Sequence, residues 1–131
     1  MFFHIDASNG VPIFEQISRQ VKYAVARGAL RPLELVPSVR ELAQRLTVNP
    51  NTVARAYRDL QGEDVLEPLR GEGLQVTRKA LDRCRKDRQA LLRERLRSVV
   101  GEARQSGLPD DEILSLFQDE LSRQPLAETL P

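Results

Sequence analysis

Two helix starts lie close together near the middle of the chain, and they restrict the fold more than any other feature. Ser38 is followed three residues later by Glu41, a capping box in which each side chain accepts a hydrogen bond from the other residue's backbone N–H. Further along, Asn49 and Pro50 form a second start, with an Asn cap before a proline at the first helical position. Residues 47–48 break the helix between these starts. The pattern predicts two short helices joined by a turn of about three residues, which is a helix-turn-helix unit.

The helix that begins at Pro50 is predicted to run to about Gln61 and to have two distinct faces. Its core face has Val53, Tyr57 and Leu60 at helical spacing. The second face is polar at its start and basic further along, and it comprises Asn51, Thr52, Arg55 and Arg58. Amide, hydroxyl and guanidinium groups can bind base edges or phosphates in a major groove. A solvated face is the alternative for an isolated helix, but the neighbouring segments favour DNA binding.

Two short apolar runs follow this helix, with a glycine-rich turn between them. Residues 65–69 and 74–77 flank Arg70-Gly71-Glu72-Gly73, a pattern typical of a β-hairpin. A helix-turn-helix followed by a hairpin predicts a winged helix, and we assign residues 1–77 to this domain. Arg70 at the tip of the hairpin could contact a phosphate or enter a minor groove.

The segment before the first capping box adds one more helix. Residues 2–6 are short and apolar and precede turn residues, which indicates an edge strand or a tucked arm. From Ile13 onwards the apolar residues follow the spacing of an amphipathic helix, and Gly28 is a natural position for it to stop.

The residues after Val76 predict two further helices. The first covers residues 78–106, and the second begins after Gly107-Leu108-Pro109-Asp110. Two helices cannot bury their apolar stripes alone. They would either lie on the winged helix or pair with the same two helices of a second subunit. We expect the pairing, and we assign residues 78–131 to a dimerisation tail. The predicted dimer contacts are Leu92, Leu96, Val99, Val100, Ile113, Leu114, Phe117 and Leu121.

Charge is unevenly distributed along the chain, although the net charge is only +1. Residues 78–97 contain nine bases against three acids, whereas residues 110–120 contain five acids and no base. Such stretches can pair with each other, pair with a second chain, or be solvated. For the basic stretch we favour a solvated or acid-paired face over phosphate contacts. Cys84 lies in it and is interpreted as passive rather than redox-active, although its basic neighbours could lower its pKa.

Composition excludes several classes of function. The 131 residues, 40% hydrophobic and 30% charged, suffice for a modest core in a mainly α protein with a small β-hairpin. Aromatic residues make up only 5% and Trp is absent, which argues against a stacking surface for single-stranded nucleic acid. His4 and Cys84 are the only residues of their types, so we expect no metal site, no cofactor and no catalytic set. Without an apolar run of about 18 residues, the expected location is the cytoplasm.

Three segments of the first domain are distinctive. They are Pro12-Ile13-Phe14-Glu15-Gln16-Ile17, Pro37-Ser38-Val39-Arg40-Glu41-Leu42-Ala43 and Val48-Asn49-Pro50-Asn51-Thr52-Val53-Ala54-Arg55-Ala56-Tyr57. Together they resemble the DNA-binding domain of GntR-type bacterial transcription regulators, over residues 5–76. The remainder is similar to the two-helix tail through which the YtrA subfamily dimerises. Other branches carry a ligand-sensing or aminotransferase-like domain that the remaining residues could not accommodate.

The resemblance implies a role for each position that matches. Arg40 would bind a phosphate or a base edge near the dyad, and Arg70 and Gly71 would form the wing contact. The recognition helix would present Asn49, Asn51, Thr52 and Arg55 to the major groove, and Ser38 and Arg58 complete the predicted DNA contacts.

The implied function is a homodimeric transcription regulator, a repressor, that binds a palindromic operator with half-sites about one helical turn, ~34 Å, apart. The alternative is a winged-helix module for protein–protein interaction with weak or no DNA binding. The near-zero net charge and the acidic wing residue Glu72 favour that alternative slightly. The sequence indicates no particular small-molecule effector.

The chain departs from the family pattern in two places. Before the second helix, the usual turn glycine and basic residue are replaced by Leu33 and Leu35. In the wing, the second of two usual basic residues is replaced by Glu72, whose carboxylate repels phosphate. We therefore expect weaker or more sequence-dependent DNA binding than is usual in the family, with a shallower dependence on salt.

Overall fold

The computed structural model describes residues 4–124 and has five helices and one two-stranded sheet in that range. The elements are α1 (Ile13–Ala26), α2 (Val39–Leu46), α3 (Pro50–Gly62), β1 (Leu66–Leu69), β2 (Gly73–Val76), α4 (Ala80–Gln105) and α5 (Asp110–Arg123). The chain divides into two compact units, and the division falls between Gln89 and Ala90. The first unit therefore contains α1 to α3, the hairpin and the first turns of α4. The predicted fold class, mainly helical with a β-hairpin wing, is confirmed.

Helix α1 contributes one side of the core of the first unit. Ile17, Val21 and Val25, spaced four residues apart, are fully buried. The helix ends before Gly28, which has a φ of +86° and whose N–H donates to the carbonyl of Val25 at 3.1 Å. Glycine adopts this left-handed conformation without a steric penalty, and the predicted stop is observed.

Helices α2 and α3 begin at the two predicted caps. The Ser38 hydroxyl accepts from the N–H of Glu41 at 3.1 Å, and the Glu41 carboxylate accepts from the N–H of Ser38 at 3.4 Å. The Asn49 side chain accepts from the N–H of Asn51 at 2.8 Å at the start of α3. The buried Tyr57 of α3 donates its hydroxyl proton to the carbonyl of Pro37 at 2.7 Å, which ties α3 to the entrance of α2.

The hairpin is the predicted wing, and a third segment joins it. Strands β1 and β2 are antiparallel, with Leu66 opposite Val76 and Leu69 opposite Gly73. Residues 33–36, before α2, run beside β2 and form an isolated bridge between Leu35 and Gln75. Their ladder consists of Leu33 N–H to Val76 O (2.7 Å), Val76 N–H to Glu34 O (2.9 Å) and Val36 N–H to Leu74 O (3.0 Å). Long-range pairing of this kind leaves no local pattern in the sequence, and it was not predicted.

Replacing Leu33 with glycine is expected to stabilise the protein. Leu33 has a φ of +70°, a left-handed conformation that costs a side-chain-bearing residue roughly 1–2 kcal/mol. Glycine loses about 0.5–1 kcal/mol of this gain through its freer unfolded chain. The side chain is 43% exposed, so lost packing removes a further part of the gain. We expect the free energy of unfolding in urea to rise by up to about 0.5 kcal/mol.

Leu35 provides a matched control for this change. It is 44% exposed, lies two residues further along the same segment and has no left-handed φ. Leu35→Gly should lower the free energy of unfolding by about 0.5–1 kcal/mol. A loss of stability in Leu33→Gly as large as that in Leu35→Gly would contradict the assignment of strain to Leu33.

The described part of the N-terminal segment is an arm rather than a strand. The backbone N–H of His4 donates to the Gln20 side chain at 2.8 Å, and the Gln20 amide donates in return to the carbonyl of His4. The buried Gln16 amide accepts from the N–H of Asp6 at 2.9 Å and donates to the carbonyl of Val11 at 2.9 Å. Of the two alternatives, residues 4–6 therefore follow the tucked arm, while Phe2 and Phe3 lie outside the described residues.

The first turns of α4 are part of the core of the first unit. Ala80 and Cys84 are fully buried in that core. Lys22 of α1, only 8% exposed, forms ion pairs with Glu63 (2.5 Å) and with Asp87 of α4 (3.0 Å). Burial raises the pKa of the Cys84 thiol to about 11, which disfavours the thiolate and supports a passive role.

Two arginines of the basic stretch also bind within the first unit. Arg83 pairs with Asp87 at 3.0 Å, and Arg85 donates to the carbonyl of Ala26 at the end of α1 at 3.3 Å. A cation at a helix C-terminus is favourable, because the last carbonyls of the helix carry partial negative charge. Arg83 therefore fits the acid-paired interpretation of the stretch, whereas Arg85 binds a backbone carbonyl.

Replacing Asp87 with asparagine is expected to reduce the acid sensitivity of the fold. Burial alone would raise the pKa of Asp87, but hydrogen bonds from Lys22 and Arg83 outweigh it and hold the pKa below 3.8. A carboxylate with a lowered pKa stabilises the fold above its unfolded pKa, and this contribution is lost as the pH falls through the folded pKa. Urea unfolding at pH 7 should show Asp87→Asn to be about 1–2 kcal/mol less stable than the wild type.

The pH series separates this effect from a general structural one. The difference between wild type and Asp87→Asn should shrink as the pH falls from about 4 towards 2. Asp119→Asn, which removes an exposed partner of Arg123 on α5, is the control and should change stability little at any pH. A difference that stays constant from pH 7 to the acid range would refute the ion-pair explanation.

The second unit contains the rest of α4 and α5. Gly107 has a φ of +94° in the turn between them, and three acidic residues, Asp110, Asp111 and Glu112, occupy the first turn of α5. Negative charge there is favourable, because the free N–H groups of a helix start carry partial positive charge. Arg104 binds both oxygens of Asp110 at 3.1 and 3.2 Å. None of the helices among residues 4–124 is both long and apolar enough to cross a membrane.

Candidate nucleic-acid interface

The N-terminal turn of α3 presents short polar side chains to solvent. Asn49 and Asn51 are exposed and Thr52 is half-buried, while Val53 on the opposite face is fully buried. The cap uses only the Asn49 side-chain oxygen, and Pro50 fixes the backbone at the first helical position. The amide of Asn51 has no partner among residues 4–124 and could form the two hydrogen bonds that an adenine edge requires.

Two arginines continue this face along α3. Arg55 and Arg58, about one and a half and two and a half turns beyond the cap, are exposed, and neither forms an ion pair with a described carboxylate. The Arg55 guanidinium carbon lies 3.7 Å from the centre of the Phe14 ring of α1. An aromatic face attracts a cation without occupying its N–H donors, so the donors of Arg55 remain free for a ligand.

Arg40 lies in the first turn of α2 and is also exposed without an ion pair in the described chain. Arg45 at the other end of α2 differs, because it pairs with Glu41 at 2.9 Å. Ser38, a further predicted DNA contact, uses its hydroxyl oxygen in the capping box. The structure therefore shows a role for Ser38 in fixing the start of α2.

The wing tip is a tight turn with its charged residues in solvent. The N–H of Glu72 donates to the carbonyl of Leu69 at 2.9 Å, and Gly71 between them has a φ of +77°. That φ favours glycine at the third position of a β-turn, which explains Gly71. Arg70 and Glu72 are both exposed at this tip, so the wing carries one base beside one acid.

A groove with a volume of about 580 Å³ lies beside the wing, and no sequence pattern indicates it. It lies where the wing faces the entrance of α2, and its lining includes the apolar Leu35, Val39 and Leu74. Three carboxylates, Glu34, Glu41 and Glu72, also line it. These carboxylates would repel a phosphate on this side of the wing.

Most of the predicted dimer contacts are exposed in a single chain. The exposed fractions are 45% for Leu92, 50% for Leu96 and for Val99, 58% for Leu114 and 78% for Leu121. Val100 and Phe117 are half-buried. Ile113 is only 6% exposed, so it is already buried without a partner. Leu116, 54% exposed, is a further apolar residue of α5 that the sequence analysis did not include.

Phe14 is the residue near the interface whose role the sequence did not indicate. Its position in the apolar stripe of α1 predicts a core side chain, and it does pack against the core. Its second contact, with Arg55, joins residues 41 positions apart, and no periodic pattern within one helix can show it.

Comparisons with known proteins identify the family of the chain. The sequence pattern of "Bacterial regulatory proteins, gntR family" matches residues 13–76. The HTH-type transcriptional repressor YtrA of Bacillus subtilis is 36% identical over 104 residues, which cover 79% of this chain and 80% of that protein.

Two solved structures extend the likeness to the tail. A structure described as a transcriptional antiterminator from Listeria monocytogenes has a TM-score of 0.68 and 32% identity, covering 93% of this chain and 90% of the other. YtrA from Sulfolobus acidocaldarius, a GntR-family transcription factor, has a TM-score of 0.56 and 30% identity, covering 92% and 97%. The chain belongs to the gntR family of bacterial regulatory proteins, a family of DNA-binding transcription regulators rather than enzymes.

Proposed function

We propose that the protein is a homodimeric, sequence-specific repressor that binds a palindromic operator in the cytoplasm. One observation carries the proposal: the N-terminal turn of α3 is capped, exposed and polar, and its face is continued by Arg55 and Arg58, which form no ion pair among residues 4–124. A helix start of this kind fits the major groove, where side chains meet base edges. The similar protein of Bacillus subtilis is named a repressor, which supports the direction of regulation.

Each part of the surface would make a different class of contact. Asn51 and Thr52 at the start of α3 have the short polar side chains that bind base edges. Arg40 of α2 and Arg70 of the wing would bind phosphates and so fix the position of the domain on the duplex. Contacts to phosphates supply affinity for all sequences, whereas contacts to bases supply the preference for one.

The apolar surface of the tail supports the homodimer. Leu92, Leu96 and Val99 of α4 are each about half exposed, as are Leu114 and Leu116 of α5. Large apolar side chains exposed in this number are unfavourable in water and typical of a protein–protein interface. A symmetric dimer would present two copies of α3, which requires an operator with two inverted half-sites.

Selection from a random DNA pool with the full-length chain tests this function. We expect recovery of an inverted repeat, and fluorescence anisotropy should show at least about 10³-fold preference for it over a scrambled duplex. Sedimentation equilibrium should give the mass of two chains. Equal affinity for both duplexes would refute sequence-specific binding and would favour the protein-interaction module instead.

A salt titration of the same complex tests the effect of the acidic wing. The slope of log affinity against log salt grows by about 0.9 for each phosphate neutralised. Because each wing carries Glu72 beside Arg70, we expect a shallower slope than that of the Bacillus subtilis YtrA protein measured on its own operator. A steeper slope would contradict the weak wing contact.

A further inference from the structure

The contact between Arg55 and Phe14 joins the polar and basic face of α3 to α1, a helix that has no predicted contact with DNA. The Arg55 guanidinium carbon is 3.7 Å from the Phe14 ring centre, so the cation lies directly on the aromatic face. Arg55 is exposed, and Phe14 is half-buried because its other side packs against the core. The ring is therefore fixed in place, whereas an arginine on a helix surface would otherwise sample many rotamers.

The Phe14 ring is held in a fixed position relative to α3. The Ser18 hydroxyl, one turn beyond Phe14 on α1, donates to the carbonyl of Ala56 at 3.4 Å, next to Arg55. Ile17 of α1 and Val53 of α3 are both fully buried in the same core cluster. These contacts fix α1 against α3, and the Phe14 ring itself packs against the core, so the direction of the Arg55 side chain is set before DNA arrives.

The stack leaves the guanidinium charged and its donors free. Arg55 has no carboxylate within 4.0 Å among residues 4–124, in contrast to Arg19 on the same α1 helix as Phe14, which pairs with Glu15 at 3.6 Å. An ion pair would compete with DNA for the N–H groups. A ring face does not compete, because the five N–H donors lie in the guanidinium plane and point away from it.

We propose that Phe14 is a positioning residue for DNA binding, and that it acts by holding the Arg55 guanidinium in the orientation that binds the operator. This inference rests on the proposed function. A stack of this kind at an exposed site corresponds to an effect of about two- to fivefold on affinity. Phe14→Leu should weaken operator binding by that factor, whereas Phe14→Tyr retains the ring and should bind as the wild type does.

A double-mutant cycle separates positioning from a general structural role. Operator affinity is measured by fluorescence anisotropy for the wild type, Phe14→Leu, Arg55→Ala and the double variant. We expect Phe14→Leu to weaken binding when Arg55 is present and to have no effect in the Arg55→Ala background. Equal weakening in both backgrounds, or none in either, would overturn the proposal.

A measurement on the free protein tests the stack without DNA and without relying on the Phe14→Leu variant to fold normally. In the wild type and in Phe14→Tyr, the NMR signals of the Arg55 side-chain protons should be shifted upfield by the ring current. Unshifted signals in the wild type would also overturn the proposal. Failure of the proposed function looks different, because the wild type would then show the stack and yet have no preference for any duplex.

Discussion

Replacing Asn51 with alanine is expected to lower operator affinity by about 1–3 kcal/mol per half-site, which is the value of a bidentate contact to a base. The loss should be confined to one base pair in each half-site. Asn51→Ala should therefore bind duplexes altered at that base pair as tightly as it binds the parent operator. Asn51 is exposed, and the cap of α3 uses its backbone N–H rather than its side chain, so the variant should fold normally. Anisotropy against a panel of single-base-pair variants measures the effect.

Two further variants help to interpret this result. Gln118→Ala removes an exposed helical amide from α5 and should leave DNA binding unchanged. Arg70→Ala should weaken binding to all duplexes alike, because a phosphate contact carries no sequence information. If Asn51→Ala also weakened every duplex equally, the N-terminal turn of α3 would not be the part that distinguishes bases.

Replacing Leu96 with glutamate is expected to have the largest effect of any single change, because it should separate the dimer. A charge at the half-exposed Leu96 costs a single chain little, but it would be expensive when buried between two chains. Loss of the second half-site removes the gain from simultaneous binding, so operator affinity should fall by about 10²–10⁴-fold. Sedimentation equilibrium gives the mass and anisotropy gives the affinity.

Ser98 provides the matched control on the same helix. It is exposed and lies off the apolar stripe of α4, so Ser98→Glu adds the same charge without entering the proposed interface. In both variants the first unit should unfold at the same temperature as it does in the wild type. The dimer proposal fails if Leu96→Glu retains the mass of two chains, or if Ser98→Glu becomes a single chain to the same extent.

The sequence predicted those features of the fold that depend on residues close together in the chain. The caps at Ser38 and Asn49 are local hydrogen-bond patterns, and both are observed where the residue types place them. The wing turn follows from Gly71, whose left-handed φ few other residues adopt readily. The exposed polar face of α3 follows from helical periodicity.

The features that the sequence did not predict depend on contacts between distant residues. Residues 33–36 pair with β2 across some forty positions, and nothing in their composition indicates a strand partner. Lys22 binds Asp87, and Phe14 binds Arg55, through the packing of one helix on another. Leu33 illustrates a related limit: its left-handed backbone is required by the turn that it occupies, while leucine itself disfavours that conformation.

The burial of Cys84 has a practical consequence for measurements on this protein. It is the only cysteine of the chain, it has no exposed surface, and its raised pKa keeps the sulfur protonated near neutral pH. A thiol-labelling reagent therefore has a single target, which it can reach only when the first unit opens. The rate of labelling reports how often the first unit opens in native molecules, without any fluorophore or engineered probe.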